Sequence, residues 1–125
     1  MTETDRKVLK VTYDALDEKF AADIKIYDVQ QHTTISEYFV IATANSVQQA
    51  KAISEGVEVK LKENGILIKQ IEGESTALWI LLDVASVIVH IFTKENREHY
   101  NLDEVYSNAQ EISIEEINNI DDIKF

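Results

Sequence analysis

Residues 78–92 carry the densest apolar pattern in the chain: Leu78-Trp79-Ile80-Leu81-Leu82-Asp83-Val84, then Val87-Ile88-Val89-His90-Ile91-Phe92, parted only by Ala85-Ser86. Each run has strand length and the separation is two residues, which predicts an antiparallel hairpin. The tip holds no Gly, Asn or Asp, the residues that favour a tight turn. Alternation with period two places Trp79, Leu81 and Asp83 on one face and Ile80, Leu82 and Val84 on the other, so both faces are largely apolar. One face therefore requires a cover of helices, and the other a cover of helices or of a partner.

The remaining pattern builds around this hairpin. Leu9, Tyr13, Leu16 and Phe20 recur at helical spacing with acids and Lys19 between them, which predicts an amphipathic helix over 5–22. Ile24 to Val29 alternates as a short strand with Asp28 on the isoleucine side, and the continuous apolar run Tyr38 to Ala42 reads as a central, doubly covered strand. Ser46 and Gln49 have capping-box spacing before a helix whose buried stripe is Ala50, Ile53, Val57 and Leu61, and Asn64-Gly65 ends it. Ile66 to Ile71 reads as the strand that completes a right-handed strand-helix-strand unit. After the hairpin, 93–100 predicts a short helix, and Asn101 with Glu104 caps another through Val105 and Tyr106. The order α-β-β-α-β-β-β-α predicts an α/β fold with a single mixed sheet of about five strands and helices packed on it.

Charge divides the chain unevenly. The 125 residues hold 23 acids against 12 Lys and Arg, a formal net charge of −11, and residues 103–125 alone contribute −6 of it. The expected organisation is one domain over 1–107 and an acidic, partly ordered tail over 108–125. In that tail Ile112, Ile114, Ile117, Ile120 and Ile123 form at most a marginal amphipathic helix, dispensable for docking. No basic stripe is present to neutralise a nucleic-acid backbone, so direct nucleic-acid recognition is disfavoured and a basic protein partner is favoured. The absence of Cys removes disulfides, thiolate metal sites and thiol catalysis. No apolar stretch has membrane length and the N-terminus lacks a signal-peptide core, so a cytoplasmic location follows by default.

Candidate chemistry is sparse. His32, His90 and His99 share no metal-ligand spacing, and His90, inside an apolar strand, reads as structural. Asp28 and Asp83 would have to converge from two strands to hold a divalent cation, and the Thr43-Ala44-Asn45-Ser46 turn has no Gly with which to cradle phosphates. No catalytic residue, metal site or cofactor is assigned. Trp79 reads either as a core aromatic or, because Ile80 and Leu82 already give the strand a core side, as the centre with Leu81 of a partner-binding surface on which Asp83 offers a charge to an Arg or Lys of the partner. Such a patch also predicts a transient homodimer.

The ordered set Ile26-Tyr27-Asp28-Val29, Tyr38-Phe39-Val40-Ile41, Asn45-Ser46, Glu72-Gly73, Trp79-Ile80-Leu81-Leu82-Asp83, Val87 to Phe92, and Arg97 with Tyr100, Leu102 and Tyr106 resembles the ribosomal silencing factor, or Iojap-like, family over about residues 8–107. The resemblance implies a nucleotidyltransferase-like α/β fold without known transferase chemistry. It also implies binding to ribosomal protein number 14 of the large subunit, which blocks joining of the small subunit when nutrients are scarce. Ser86 departs from the acidic residue usual at the hairpin tip, Gln48 from a common Arg or Lys, Glu37 from Asp and Ala44 from Gly. The alternative from another class is a small Mg-dependent nucleotidyltransferase or nucleotide-binding enzyme, and a homodimeric scaffold is a third.

Overall fold

A computed structural model of the chain describes residues 1–122, and of residues 119–122 only the backbone. Helix α1 spans Glu3–Glu18 and starts on a capping box in which the Thr2 hydroxyl accepts from the Asp5 N–H while the Asp5 carboxylate accepts from the Thr2 N–H. Strands β1 (Ala22–Asp28) and β2 (Tyr38–Ala44) follow, then α2 (Val47–Glu63), β3 (Gln70–Glu72), β4 (Trp79–Val84) and β5 (Val87–Thr93). Short helices α3 (Lys94–Tyr100) and α4 (Leu102–Val105) precede β6 (Gln110–Ile112) and α5 (Ile114–Asp122).

The strands form one six-stranded mixed sheet in the order β3-β4-β5-β2-β1-β6, in which only β2 and β5 are parallel neighbours. Every residue of β2 is buried, as its unbroken apolar run requires of a strand covered on both faces. On one face, Val40, Ala42, Ile80, Leu82, Val89 and Ile91 pack against Leu9 and Leu16 of α1 and Ile53, Val57 and Leu61 of α2. On the other, Tyr27, Phe39, Ile41, Ile88 and Phe92 form a second, smaller apolar cluster, covered by Leu102, Tyr106 and Ala109.

Four expectations differ from this architecture. The parallel neighbour of β2 is β5, not the 66–71 segment; that segment pairs only over Gln70–Glu72, antiparallel to β4 at the sheet edge. Ile66 and Ile68 pack on the core without joining the ladder, so their alternation mimics a strand. Helix α1 ends at Glu18 rather than residue 22 because Phe20 takes a left-handed conformation (φ 62°), which turns its ring out to 83% exposure instead of extending the buried stripe. Asn101 caps α4 through its backbone carbonyl, which accepts from the N–H groups of Glu104 and Val105, and not through its side chain. Beyond Ser107, β6 adds a sixth strand antiparallel to β1, and Ile117 of α5 is buried in the main core. Ile123 and the side chain of Ile120 lie outside the described residues.

The hairpin tip closes without glycine. Ala85 sits at φ 52°, a left-handed conformation that costs an L-residue with a Cβ roughly 1–2 kcal/mol. Ser86 compensates by serving as a junction: its carbonyl accepts from the Glu37 and Tyr38 N–H groups at 3.1 Å each and from the Ser36 hydroxyl at 2.8 Å, and its own hydroxyl donates to Asp5. An acidic residue at this position would face the Asp5 carboxylate, so Ser86 suits the neighbour it has. Ala85→Gly is expected to raise stability by about 0.5–1 kcal/mol, the left-handed penalty less the entropy a glycine adds to the unfolded chain, read as a higher denaturant midpoint at unchanged m-value.

Candidate functional surface

Strand β4 separates its side chains as the alternation predicts: Ile80, Leu82 and Val84 are fully buried on the helix side, and Trp79, Leu81 and Asp83 are half-buried on the opposite side. The register continues this second face across the hairpin, with Trp79 beside Phe92, Leu81 beside His90 and Asp83 beside Ile88. On the edge strand β3, Gln70 stands opposite Asp83 and Glu72 opposite Leu81, both exposed. Helix α3 lies against β5 and β2, Leu102, Tyr106 and Ala109 cover the cluster that includes Tyr27 and Phe39, and among the described residues no comparable helix contact covers the β3–β4 side. Leu78 (44% exposed) and Tyr100 (47%) extend the apolar area around Trp79.

Trp79 is fixed from several sides. Its ring stacks on Phe92 with centroids 4.8 Å apart and leans on Tyr100 at 4.7 Å. Its indole N–H donates to Nδ1 of His90 at 3.1 Å. The backbone is fixed as well, because Gly73 (φ 85°) approaches so closely that a Cβ there would lie 2.0 Å from the Trp79 carbonyl oxygen. Only glycine fits that turn, and the loop from Glu72 thereby sets where β4 begins.

His90 is 3% exposed, and burial pushes its pKa down to about 3, so the imidazole is neutral. With Nδ1 accepting from Trp79, the ring proton sits on Nε2. Phe39 packs edge-on at 4.6 Å, and no carboxylate orients the ring, so His90 has the surroundings of a structural group and not of a general base.

The cover over the other half of the face is held by Arg97, which sequence reading missed as a structural centre. Its guanidinium makes a two-pronged contact with Asp103 (Nε to Oδ1 3.1 Å, Nη2 to Oδ2 3.0 Å). The same group donates to the Thr43 hydroxyl at 2.9 Å and to the Asp23 carbonyl. Tyr27 donates its phenol proton to Asp103 at 2.8 Å. Burial alone would raise the Asp103 carboxyl, but the hydrogen bonds from Arg97 and Tyr27 outweigh it and hold the pKa below the ordinary carboxylate value. Burial, followed by the bond to Asp103, pushes the Tyr27 phenol up. The one available signal was Arg97 itself, the last Lys or Arg before the acidic stretch that begins at Asp103.

Other candidate positions do not meet. Asp28 faces the helix side of β1 and caps a turn by accepting from the Gln30 N–H, whereas Asp83 faces the opposite side three strands away, roughly 14 Å across the sheet. Among the described residues no group of three or more His, Asp or Glu is placed to hold a metal ion. A cleft of about 460 Å³ opens beside Asp23, Asn45 and Lys94, at the ends of β2 and β5, but its buried cation, Arg97, is already committed to Asp103 and Thr43. No helix among the described residues is long and apolar enough to cross a membrane.

Two stability measurements test these assignments. Arg97→Met should cost about 3 kcal/mol in denaturant unfolding, because it leaves the partly buried Asp103 carboxylate without its counter-charge. Acid should act through a different residue first. The unfolded His90 takes up a proton near pH 6.5 whereas the folded one resists until about pH 3, so stability falls as pH drops below about 6.5. The slope approaches about 1.4 kcal/mol per pH unit, the limit for one proton. Asp5 and Asp103, held below the ordinary value, add a further loss only below about pH 4. In His90→Phe the decline between pH 6.5 and 4.5 should flatten; an unchanged slope would assign it elsewhere.

The family model described as ribosomal silencing factor during starvation matches residues 2–124, which includes β6 and α5. A ribosomal silencing factor from Bacillus subtilis is 36% identical over 104 residues, covering 83% of this chain and 88% of that protein. The chloroplastic Iojap protein of Zea mays is 36% identical over 97 residues, covering 75% of this chain and 41% of that longer protein. A crystal structure from Chromobacterium violaceum superposes with a TM-score of 0.79 at 30% identity, covering 90% of this chain and 92% of that one. The chain belongs to the ribosomal silencing factor family.

Proposed function

We propose that this protein is a non-enzymatic translation repressor. It docks on the large ribosomal subunit through ribosomal protein number 14 and blocks joining of the small subunit by occupying space, chiefly under nutrient limitation. The observation that carries the reading is the half-uncovered sheet face, on which Trp79 and Leu81 are held half-buried beside Asp83 and Glu72. An apolar centre with an acidic rim suits a basic protein surface, since the ring and the Leu supply desolvated contact area and the carboxylates supply register and steering. The net charge of −11 repels exposed ribosomal RNA and leaves a basic ribosomal protein as the favoured landing site.

The same patch supports a transient homodimer in the free protein, in competition with docking. The committed state of Arg97, the separation of Asp28 from Asp83 and the neutral, buried His90 give the alternative nucleotidyltransferase reading no support of its own.

Trp79→Glu is expected to weaken binding to purified large subunits by at least about 2 kcal/mol, because it places a charge where an apolar anchor sat. Circular dichroism should show the variant folded; an unfolded variant would mean that Trp79 serves the core, and undiminished binding would overturn the site. Mixed purified subunits followed in sucrose gradients should show joining inhibited stoichiometrically, without ATP or GTP. Inhibition far below one copy per large subunit would indicate catalysis instead.

A further inference from the structure

We infer that His90 is a positioning residue for docking: by accepting the Trp79 indole N–H at Nδ1, it fixes the ring so that the surface offers a partner an apolar face rather than a hydrogen-bond donor. The inference rests on the docking reading above and deepens it, because it states what the partner must present against Trp79.

The bond joins a buried group to a half-buried one. His90 lies under the surface at 3% exposure, and Trp79 lies in it, with their ring centroids 5.9 Å apart. An indole left free at a surface turns among several rotamers and carries one donor that any docked partner must either accept or desolvate at a cost. Here the donor is already satisfied from inside at 3.1 Å, and the ring is held between Phe92 and Tyr100. A partner side chain that meets it therefore needs apolar area and no acceptor, while the neighbouring Asp83 and Glu72 call for a cation beside that contact.

Packing alone does not account for the imidazole. Phe39 and Phe92 flank His90 at ring-centroid distances of 4.6 and 6.1 Å, an environment that a third phenyl ring would fill. The His90 Nε2 is buried without a protein hydrogen-bond partner, an unfavourable state for a ring nitrogen that phenylalanine would avoid. What histidine supplies here and phenylalanine cannot is the acceptor for Trp79.

The test separates acceptor from ring. His90→Phe keeps the ring and removes the acceptor; His90→Asn keeps an acceptor near the Nδ1 position and removes the ring. Three quantities are read on the full-length protein: the Trp79 indole N–H resonance, the melting temperature, and affinity for purified large ribosomal subunits. His90→Phe should melt at or above the wild-type temperature, with the indole proton shifted upfield and exchanging faster. It should bind roughly threefold to tenfold more weakly, as expected when one large side chain loses its preorganisation. His90→Asn should melt lower, keep the indole resonance near its wild-type position and bind within about twofold of wild type. Wild-type affinity in His90→Phe, or an indole resonance that does not move in it, overturns the inference whatever the stability of the Asn variant. Trp79→Glu measured alongside distinguishes the failures: if it too binds as wild type, the docking surface itself is wrong, and if it binds weakly while His90→Phe binds tightly, only the role of His90 falls.

Discussion

The parallel pairing of β2 with β5 is the constraint on which the rest of the molecule depends. Adjacent parallel strands cannot be joined by a turn, so after Ala44 the chain crosses the sheet as α2, returns at its far edge as β3, and reaches β5 through β4 by antiparallel steps. Because both central strands are apolar on either side, each face needs cover. Helices α1 and α2 supply it on one side. On the other, the chain leaving β5 turns back as α3 against β5 and β2, Leu102, Tyr106 and Ala109 follow over the cluster of Tyr27, Phe39 and Ile88, and among the described residues that short cover stops at Trp79. The half-buried Trp79–Leu81 surface is thus the remainder left by a cover too short for the sheet beneath it.

Holding that cover in place falls to polar groups more than to area. Helix α4 is four residues long and buries none of its residues, so it could not stay on the sheet by hydrophobic contact alone. Arg97 links α3 to the Thr43 hydroxyl on β2 and to the Asp23 carbonyl on β1, and Asp103 draws α4 to the same guanidinium and to the Tyr27 phenol. A buried ion pair contributes little net stability against an apolar alternative, but it imposes one geometry, since the five guanidinium donors have fixed directions. The cluster fixes where α3 ends, and with it where Tyr100 leans against Trp79 at 4.7 Å. The clamp on one half of the face therefore helps shape the surface on the other.

How much of this was legible follows from how local each signal is. Alternation in β4 separated Trp79, Leu81 and Asp83 from Ile80, Leu82 and Val84 because a strand pleat is set by adjacent residues alone. The α2 stripe of Ala50, Ile53, Val57 and Leu61 was equally readable, and all four residues are fully buried. Pairing partners were not. Ile66 and Ile68 alternate as a strand would, yet the ladder with β4 begins only at Gln70, whereas Gln110-Glu111-Ile112 has one apolar side chain and nevertheless joins the ladder because β1 leaves an open edge beside it. Phe20 continues the α1 spacing but lies past the point where the helix stops. The Arg97–Asp103–Tyr27 cluster spans 76 positions, and no sequence period connects residues that far apart.

An uncovered face of this composition also limits what the protein can do with it. A surface that combined an apolar centre with unsatisfied donors would bind many partners, because each donor accepts whatever acceptor arrives. Here three donors near the face are spent internally: the indole N–H on His90, the Tyr27 phenol and the Arg97 guanidinium on Asp103. What is left at the apolar centre is ring, leucine and carboxylate, and carboxylates only accept, while the Gln70 amide and the Tyr100 phenol stand at its margin. In the docking proposed above, specificity would come from exclusion as much as from attraction, since a partner lacking a cation would leave Asp83 or Glu72 desolvated and unpaired against it. An acidic or nucleic-acid surface would meet like charge. The internal hydrogen bonds that hold the face in shape thus also take up donors that the proposed docking would otherwise have to satisfy.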